Sequence, residues 1–177
     1  MWYGFLTEIV DTILPALVIA VLINLFVAQG TYVYGLSMEP NLHTDQRLIV
    51  EKVSYRLRGP RRGDIVVVLV EGHETPPIKR VIGLPGETLE IREGHVWIDG
   101  RSLDEPYLAE MVQQDYGPYT VPPEHVFVMG DNRNLSGDSR LFGPVRLKNV
   151  WGRAWLSYWP PQEFGFLRSD GTVGLLP

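Results

Sequence analysis

The sequence predicts a mostly β protein of antiparallel sheets, a complex β fold preceded by one amino-terminal helix of membrane length. Two observations carry this prediction. Ile13–Ala28 is apolar except for Asn24, and from Thr31 onward short apolar runs alternate with glycine and proline, of which the chain holds 18 and 14. Neither an internal repeat nor a low-complexity tract interrupts the pattern. Short strands with frequent turn residues build sheets rather than helical layers.

The amino-terminal segment is read first. A spanning helix needs about 20 predominantly apolar residues. The run reaches that length only when extended back to Ile9, through Asp11 and with Pro15 inside. A cleaved signal peptide would carry a basic flank; here the flank holds Glu8 and Asp11 and neither Lys nor Arg. A buried soluble helix is the other alternative, and a single span is the reading adopted. Arg47 alone lies close enough to count toward orientation, and by the positive-inside rule it favours a cytoplasmic carboxy-terminal side. The expected division is an anchor over residues 1–30 and a β domain over 31–177, with a small hairpin and loop insertion at about 88–123.

Within the β domain, Arg47–Lys52 reads as a strand and Asp64–Val70 (DIVVVLV) as one buried on both faces. Pro77–Ile82 continues toward Leu84-Pro85-Gly86-Glu87, where Pro-Gly suits the centre of a type II turn. Thr88–Arg92 and His95–Ile98 form a hairpin about Glu93-Gly94, and Asp99-Gly100 makes a further turn. Ser102 to Pro123 is polar and proline-bearing and is expected to be loop. Val126–Met129 is a strand, a polar loop runs on to Arg140, and Trp151–Tyr158 closes the sheet.

Composition removes several function classes. A net charge of −5 and a pI near 5.4 give no support to nucleic-acid binding. The absence of cysteine excludes disulfides, thiol nucleophiles and cysteine–zinc sites. Of 16 basic residues only Lys52, Lys79 and Lys148 are lysines. Arginine keeps its proton in proteins, so a mechanism that needs a neutral amine has few candidates.

Ser37 follows the apolar segment by nine residues (28 to 37), a reach of at most ~30 Å. Its chemistry is therefore expected close to the membrane surface. It stands among Val33, Leu36, Met38 and Leu42, which could line a groove for a small apolar group. Lys79 lies in Ile78-Lys79-Arg80-Val81-Ile82, where alternation sends Lys79 and Arg80 to opposite faces. A free lysine titrates near about 10.4, and desolvation lowers that by up to about 3–5 pH units. An amine drawn into an apolar cleft could then take the Ser37 proton in acyl transfer. The alternative is a solvated edge strand whose lysine discourages further pairing.

Gly130–Arg140 gathers acids, arginines, asparagines and serines between two strands. A calcium loop fails at Arg133, and Gly137 falls one position late; no metal and no cofactor are expected. The favoured reading is a satisfied network of Asp131–Arg133 and Asp138–Arg140 pairs, with Ser136 the attractive partner for a catalytic amine. A histidine base would have to be His43, His73, His95 or His125, all in turn, loop or hairpin contexts.

Taken in order, Ser37-Met38-Glu39-Pro40-Asn41-Leu42, Arg62-Gly63-Asp64-Ile65-Val66, Lys79–Glu87 and Gly130–Arg140 resemble the motifs of bacterial type I signal peptidases (leader peptidases). The resemblance covers nearly the whole chain. It implies a membrane-anchored endopeptidase, a cell-membrane single-pass protein with its domain on the extracytoplasmic face, against the vote of Arg47. It implies Ser37 as nucleophile, Lys79 as general base and Ser136 as the residue orienting the lysine. Val33, Met38, Leu42, Val67 and Ile78 would line shallow pockets for small substrate residues, with Asp138 and Arg140 as a structural pair. Relatives with a hydroxyl two residues before the nucleophile gain an oxyanion donor; this chain has Gly35 there. Asn41 stands where the family usually has threonine.

The implied partners are the signal peptides of secretory preproteins and the lipid bilayer, with contact to the translocation machinery possible in principle. A self-cleaving repressor-type Ser–Lys peptidase shares the core fold, but carries a DNA-binding or polar arm instead of an apolar helix. A catalytically silent, membrane-tethered β module that binds peptides is the alternative from a different class, and a hydrolase with a histidine base is the third.

Overall fold

A computed structural model describes residues 10–21, 27–170 and 173–174. Residues 10–21 form a helix, α1, all of whose residues are exposed. The span expected over residues 9–28 falls partly on residues 9 and 22–26, outside the described residues. Among the described residues no helix is long and apolar enough to cross a membrane.

The main sheet takes strands from both ends of the chain. These are β1 (Ala28–Tyr32), β2 (Arg47–Glu51), β3 (Ile65–Val68), β4 (Ile78–Gly83), β9 (His125–Met129), β10 (Val145–Arg146) and β11 (Val150–Trp159). Their order is β1-β2-β11-β3-β4-β9-β10, with β12 (Gly165–Leu167) paired to β11 and β13 (Val173–Gly174) to β12. A second sheet of four strands, ordered β7-β6-β5-β8, comes from β5 (Thr88–Arg92), β6 (His95–Ile98), β7 (Arg101–Ser102) and β8 (Tyr116–Thr120). All pairs are antiparallel, so the mostly β prediction holds. β1 begins before residue 31, so the first strand straddles the boundary drawn from hydropathy.

The buried strand reads as expected. Ile65 and Val67 join one apolar cluster with Val33, Met38, Leu42 and Ile78, while Val66 and Val68 join another with Val81, Val126 and Val128. β3 is therefore covered on both faces, which its unbroken apolar run requires. The β5–β6 hairpin turns at Glu93 and Gly94, with φ of 53° and 80°, the pair of positive values a two-residue type I′ turn needs.

One expectation is corrected. Ser102–Pro123 is not loop throughout, because Tyr116–Thr120 pairs with β5. Its Gly-Pro interior hides it from pattern reading, and it is tolerated because β8 is an edge strand. Tyr116 and Tyr119 pack on Phe127 between the two sheets, with ring centroids 5.4 and 6.0 Å away.

Candidate active site

Ser37 sits in a turn directly after β1 and Val33. The turn is closed by the Asn41 and Leu42 amides donating to Met38 O, at 3.0 and 2.9 Å. Met38 and Leu42 anchor it from below, both with no more than 1% of their surface exposed. From the other side the Asn132 amide donates to Ser37 O at 3.0 Å. The Ser37 turn is thus fixed by its own apolar roots and by the 130–140 loop.

Lys79 projects from β4, in the centre of the sheet, and is 3% exposed. Its Nζ lies 2.6 Å from Ser37 Oγ, across 42 residues of sequence. Burial lowers the Lys79 amine from its ordinary value near 10.5 to about 8; Asp138 and Asp131 pull it back upward, and Arg140 pushes it down. A useful neutral fraction therefore exists at mildly alkaline pH, as desolvation of an ammonium without a contacting carboxylate requires.

Gly130 and Ser136 complete the wall behind the pair. A Cβ on Gly130 would overlap Ser136 Oγ and Ser37 O, so only glycine admits this approach. Sequence reasoning passed over Gly130; its signal was a glycine at the seam of a strand and a polar loop. No hydrogen bond joins the buried Ser136 Oγ to Lys79, so the expected contact is not formed; the hydroxyl instead helps to lower the Asp138 carboxyl.

Asp138 and Arg140 pair as expected, with Arg140 Nη2 donating to Asp138 Oδ2 at 2.8 Å and Nε to Oδ1 at 2.9 Å. Burial would raise the Asp138 carboxyl, but Arg140 and the Gly130 amide outweigh it and hold it below its usual range. The Asp131–Arg133 pair is not formed. Asp131 instead accepts Arg80 Nε and Nη2 at 2.7 and 2.6 Å, both side chains being fully buried. Arg133 donates from Nη1 and Nη2 to Glu105 at 2.9 and 2.5 Å. Asp131 is thus taken by Arg80 on β4, and Arg133 by Glu105 in the segment after β7.

A cleft of about 520 Å³ opens over the pair, lined by Tyr32, Tyr34, Ser37, residues 72–78, Lys79 and Gly137. Of the five residues expected to line substrate pockets, Ile78 faces this cleft. Val33, Met38, Leu42 and Val67 are buried beneath it in the same cluster. Among the histidines, His73 borders the cleft, but its ring packs edge-on to Phe142. His43 Nδ1 is occupied by Glu39 at 2.6 Å, and His125 Nδ1 by Pro123 O at 2.7 Å.

This is the architecture of a β-domain hydrolase. The chain belongs to the signal peptidase family, peptidase S26, whose model matches residues 6–159. It is 41% identical over 169 residues to a probable signal peptidase I-2 of Synechocystis, spanning 92% of this chain and 78% of the relative. With the signal peptidase I of Leptolyngbya laminosa it shares 42% identity over 174 residues, 92% and 84% of the two chains. The Bacillus licheniformis signal peptidase I is 37% identical over 169 residues, 89% and 91%. A solved signal peptidase I from Enterococcus faecalis superposes with a TM-score of 0.50 at 38% identity, covering 54% of this chain and 97% of that one.

Proposed function

We propose that this protein is a membrane-tethered endopeptidase that removes signal peptides from secreted preproteins, with Ser37 as nucleophile and Lys79 as general base. The observation that carries the proposal is the 2.6 Å contact between Ser37 Oγ and an amine that burial brings down to about 8. When neutral, Lys79 accepts the hydroxyl proton across that contact while Oγ attacks the scissile carbonyl. The same proton passes to the departing amine, freeing the mature protein and leaving the signal peptide esterified to Ser37. Lys79 then activates a water, which releases the signal peptide as a carboxylate and restores the hydroxyl.

The Ser37 amide is the first oxyanion donor. Gly35 supplies no second hydroxyl, and its φ of 81° is one that L-residues adopt only with strain. Ser136, whose buried Oγ lies beside Gly130 behind the pair, orients the lysine by accepting from the ammonium that forms during the reaction. Asp138 and Arg140 hold its loop. Ile78, over the apolar floor of Val33, Met38, Leu42 and Val67, favours small substrate side chains beside the cut. The amino-terminal segment tethers the domain on the extracytoplasmic face, where preproteins emerge.

Cleavage of a preprotein with an Ala-x-Ala site tests the reading, using full-length protein in detergent or liposomes. Wild type should cut at one bond, while folded Ser37→Ala and Lys79→Ala should each be inactive. Activity surviving Lys79→Ala would overturn the lysine-base mechanism. Membrane fractionation tests the tether: the full chain should pellet with membranes, and a chain lacking residues 1–26 should lose most of that association.

A further inference from the structure

Asn41 lies four residues beyond Ser37, in the same turn, and both of its side-chain N–H groups are engaged. Nδ2 donates to Tyr107 O at 2.8 Å and to Asp131 Oδ2 at 2.9 Å. The Asp131 carboxylate is at the same time held by Arg80 through Nε and Nη2. Arg80 follows Lys79 directly on β4 and is itself fixed, with Nη1 donating to Gly63 O and Ser169 O at 3.1 and 3.0 Å. The Tyr107 ring lies 4.0 Å from the Arg80 guanidinium carbon, closing the arrangement.

We infer that Asn41 is a positioning residue, which clamps the turn bearing Ser37 to the strand bearing Lys79 through the buried Asp131–Arg80 pair. The path runs from the nucleophile's turn to Asn41, on to the Asp131 carboxylate, to the Arg80 guanidinium, and so to the residue next to the base. Asp131 and its neighbour Asn132 thereby hold the Ser37 turn at two points, one through Asn41 and one through Ser37 O. Arg80 and Asp131 are wholly buried, so water does not compete for these bonds. The amide serves both acceptors at once, which a serine or threonine hydroxyl cannot do because it has a single proton to donate. Proton transfer between Oγ and Nζ depends steeply on their separation, and a misplacement of about 1 Å can cost about 100-fold in rate.

The inference rests on the Ser37–Lys79 reading, and its test separates the two. Steady-state cleavage by the full-length protein is measured for wild type, Asn41→Ala, Asn41→Thr, Ser37→Ala and Lys79→Ala, with a melting curve for each. Asn41→Ala is expected to lower kcat by about 10–100-fold, with KM within about twofold. The midpoint of the acid limb of its pH profile should not move, because a distance changes and no charge does. Asn41→Thr, which keeps one donor, should recover part of the loss; it carries the test alone should Asn41→Ala fail to fold. The clamp is overturned by a wild-type kcat in the folded variant. It is equally overturned by a rise in KM at unchanged kcat, or by a kcat loss that vanishes well below the melting temperature. Activity in Ser37→Ala or Lys79→Ala would overturn the dyad and the clamp with it, whereas two inactive controls beside a fully active Asn41→Ala would remove the clamp alone.

Discussion

Lys79 and Arg80 are neighbours on β4 and almost equally buried, at 3% and 0% exposure, yet only Arg80 has a carboxylate in contact. Asp131 meets the guanidinium through two bonds, so that charge survives burial. The amine beside it faces a hydroxyl and holds its proton less tightly, titrating at about 8. One strand thus carries a permanent cation and a conditional one, separated by the alternation of its faces.

The pH dependence of cleavage should follow the conditional cation. Turnover is expected to rise with pH along an acid limb with a midpoint near 8, where Lys79 becomes neutral. Arg140→Gln should move that limb to higher pH, because Arg140 pushes the amine down and its loss leaves Asp138 to pull it up. Profiles of kcat for the two proteins check both statements. A limb that stays in place in a folded Arg140→Gln would remove Arg140 from the electrostatics of the base.

The same shift has a consequence for stability. The folded pKa of Lys79 lies below its unfolded value, so the folded state binds the proton less well. The penalty is fully present below pH 8, falls as pH rises, and is gone above about 10.5. Lys79→Met should therefore stabilise the inactive protein by about 2 kcal/mol at pH 7. The gain should shrink steadily between pH 8 and 10.5. Denaturant titrations of wild type and variant across that range measure the difference.

Gly130→Ala should abolish cleavage without touching either reacting group. The added Cβ overlaps Ser136 Oγ and Ser37 O, so the turn or the loop must withdraw. We expect a loss of at least about 100-fold in kcat and about 1–3 kcal/mol in stability. Cleavage assays beside melting curves distinguish this from global unfolding, which would remove both together.

Asp131→Asn should destabilise far more than a surface change. It leaves the Arg80 guanidinium buried without its counter-charge, at a cost of about 3–5 kcal/mol. Urea unfolding at neutral pH checks this. A change below about 1 kcal/mol would mean that the pair is not desolvated as the structure has it.

Much of the fold was legible because its central strands are apolar on both faces. Asp64–Val70 and Val126–Met129 could hardly be anything else, and the turn residues between Leu84 and Gly100 mark their own geometry. The strand at Tyr116–Thr120 was hidden by its Gly-Pro interior and by faces that are only partly buried. The one-turn helices α2 (Ser54–Leu57) and α3 (Ser139–Phe142) are too short to show any period. In the site, Ser37 and Lys79 could be found because few residues of those types stand in apolar settings. The ion-pair partners could not. Nearest neighbours in sequence suggested Asp131 with Arg133, but the sheet brings Arg80 and the second sheet's approach brings Glu105. Asn41 was visible as a departure from the usual threonine, and its two acceptors became evident only with the fold.

The bond from Asn41 to Asp131 spans 90 residues of sequence. A ribosome delivers the serine long before it delivers the loop that seats it. Until then the hydroxyl is an ordinary alcohol on an unfinished edge. On the proposed reading, Ser37 becomes a competent nucleophile only once residues far downstream of it have been made.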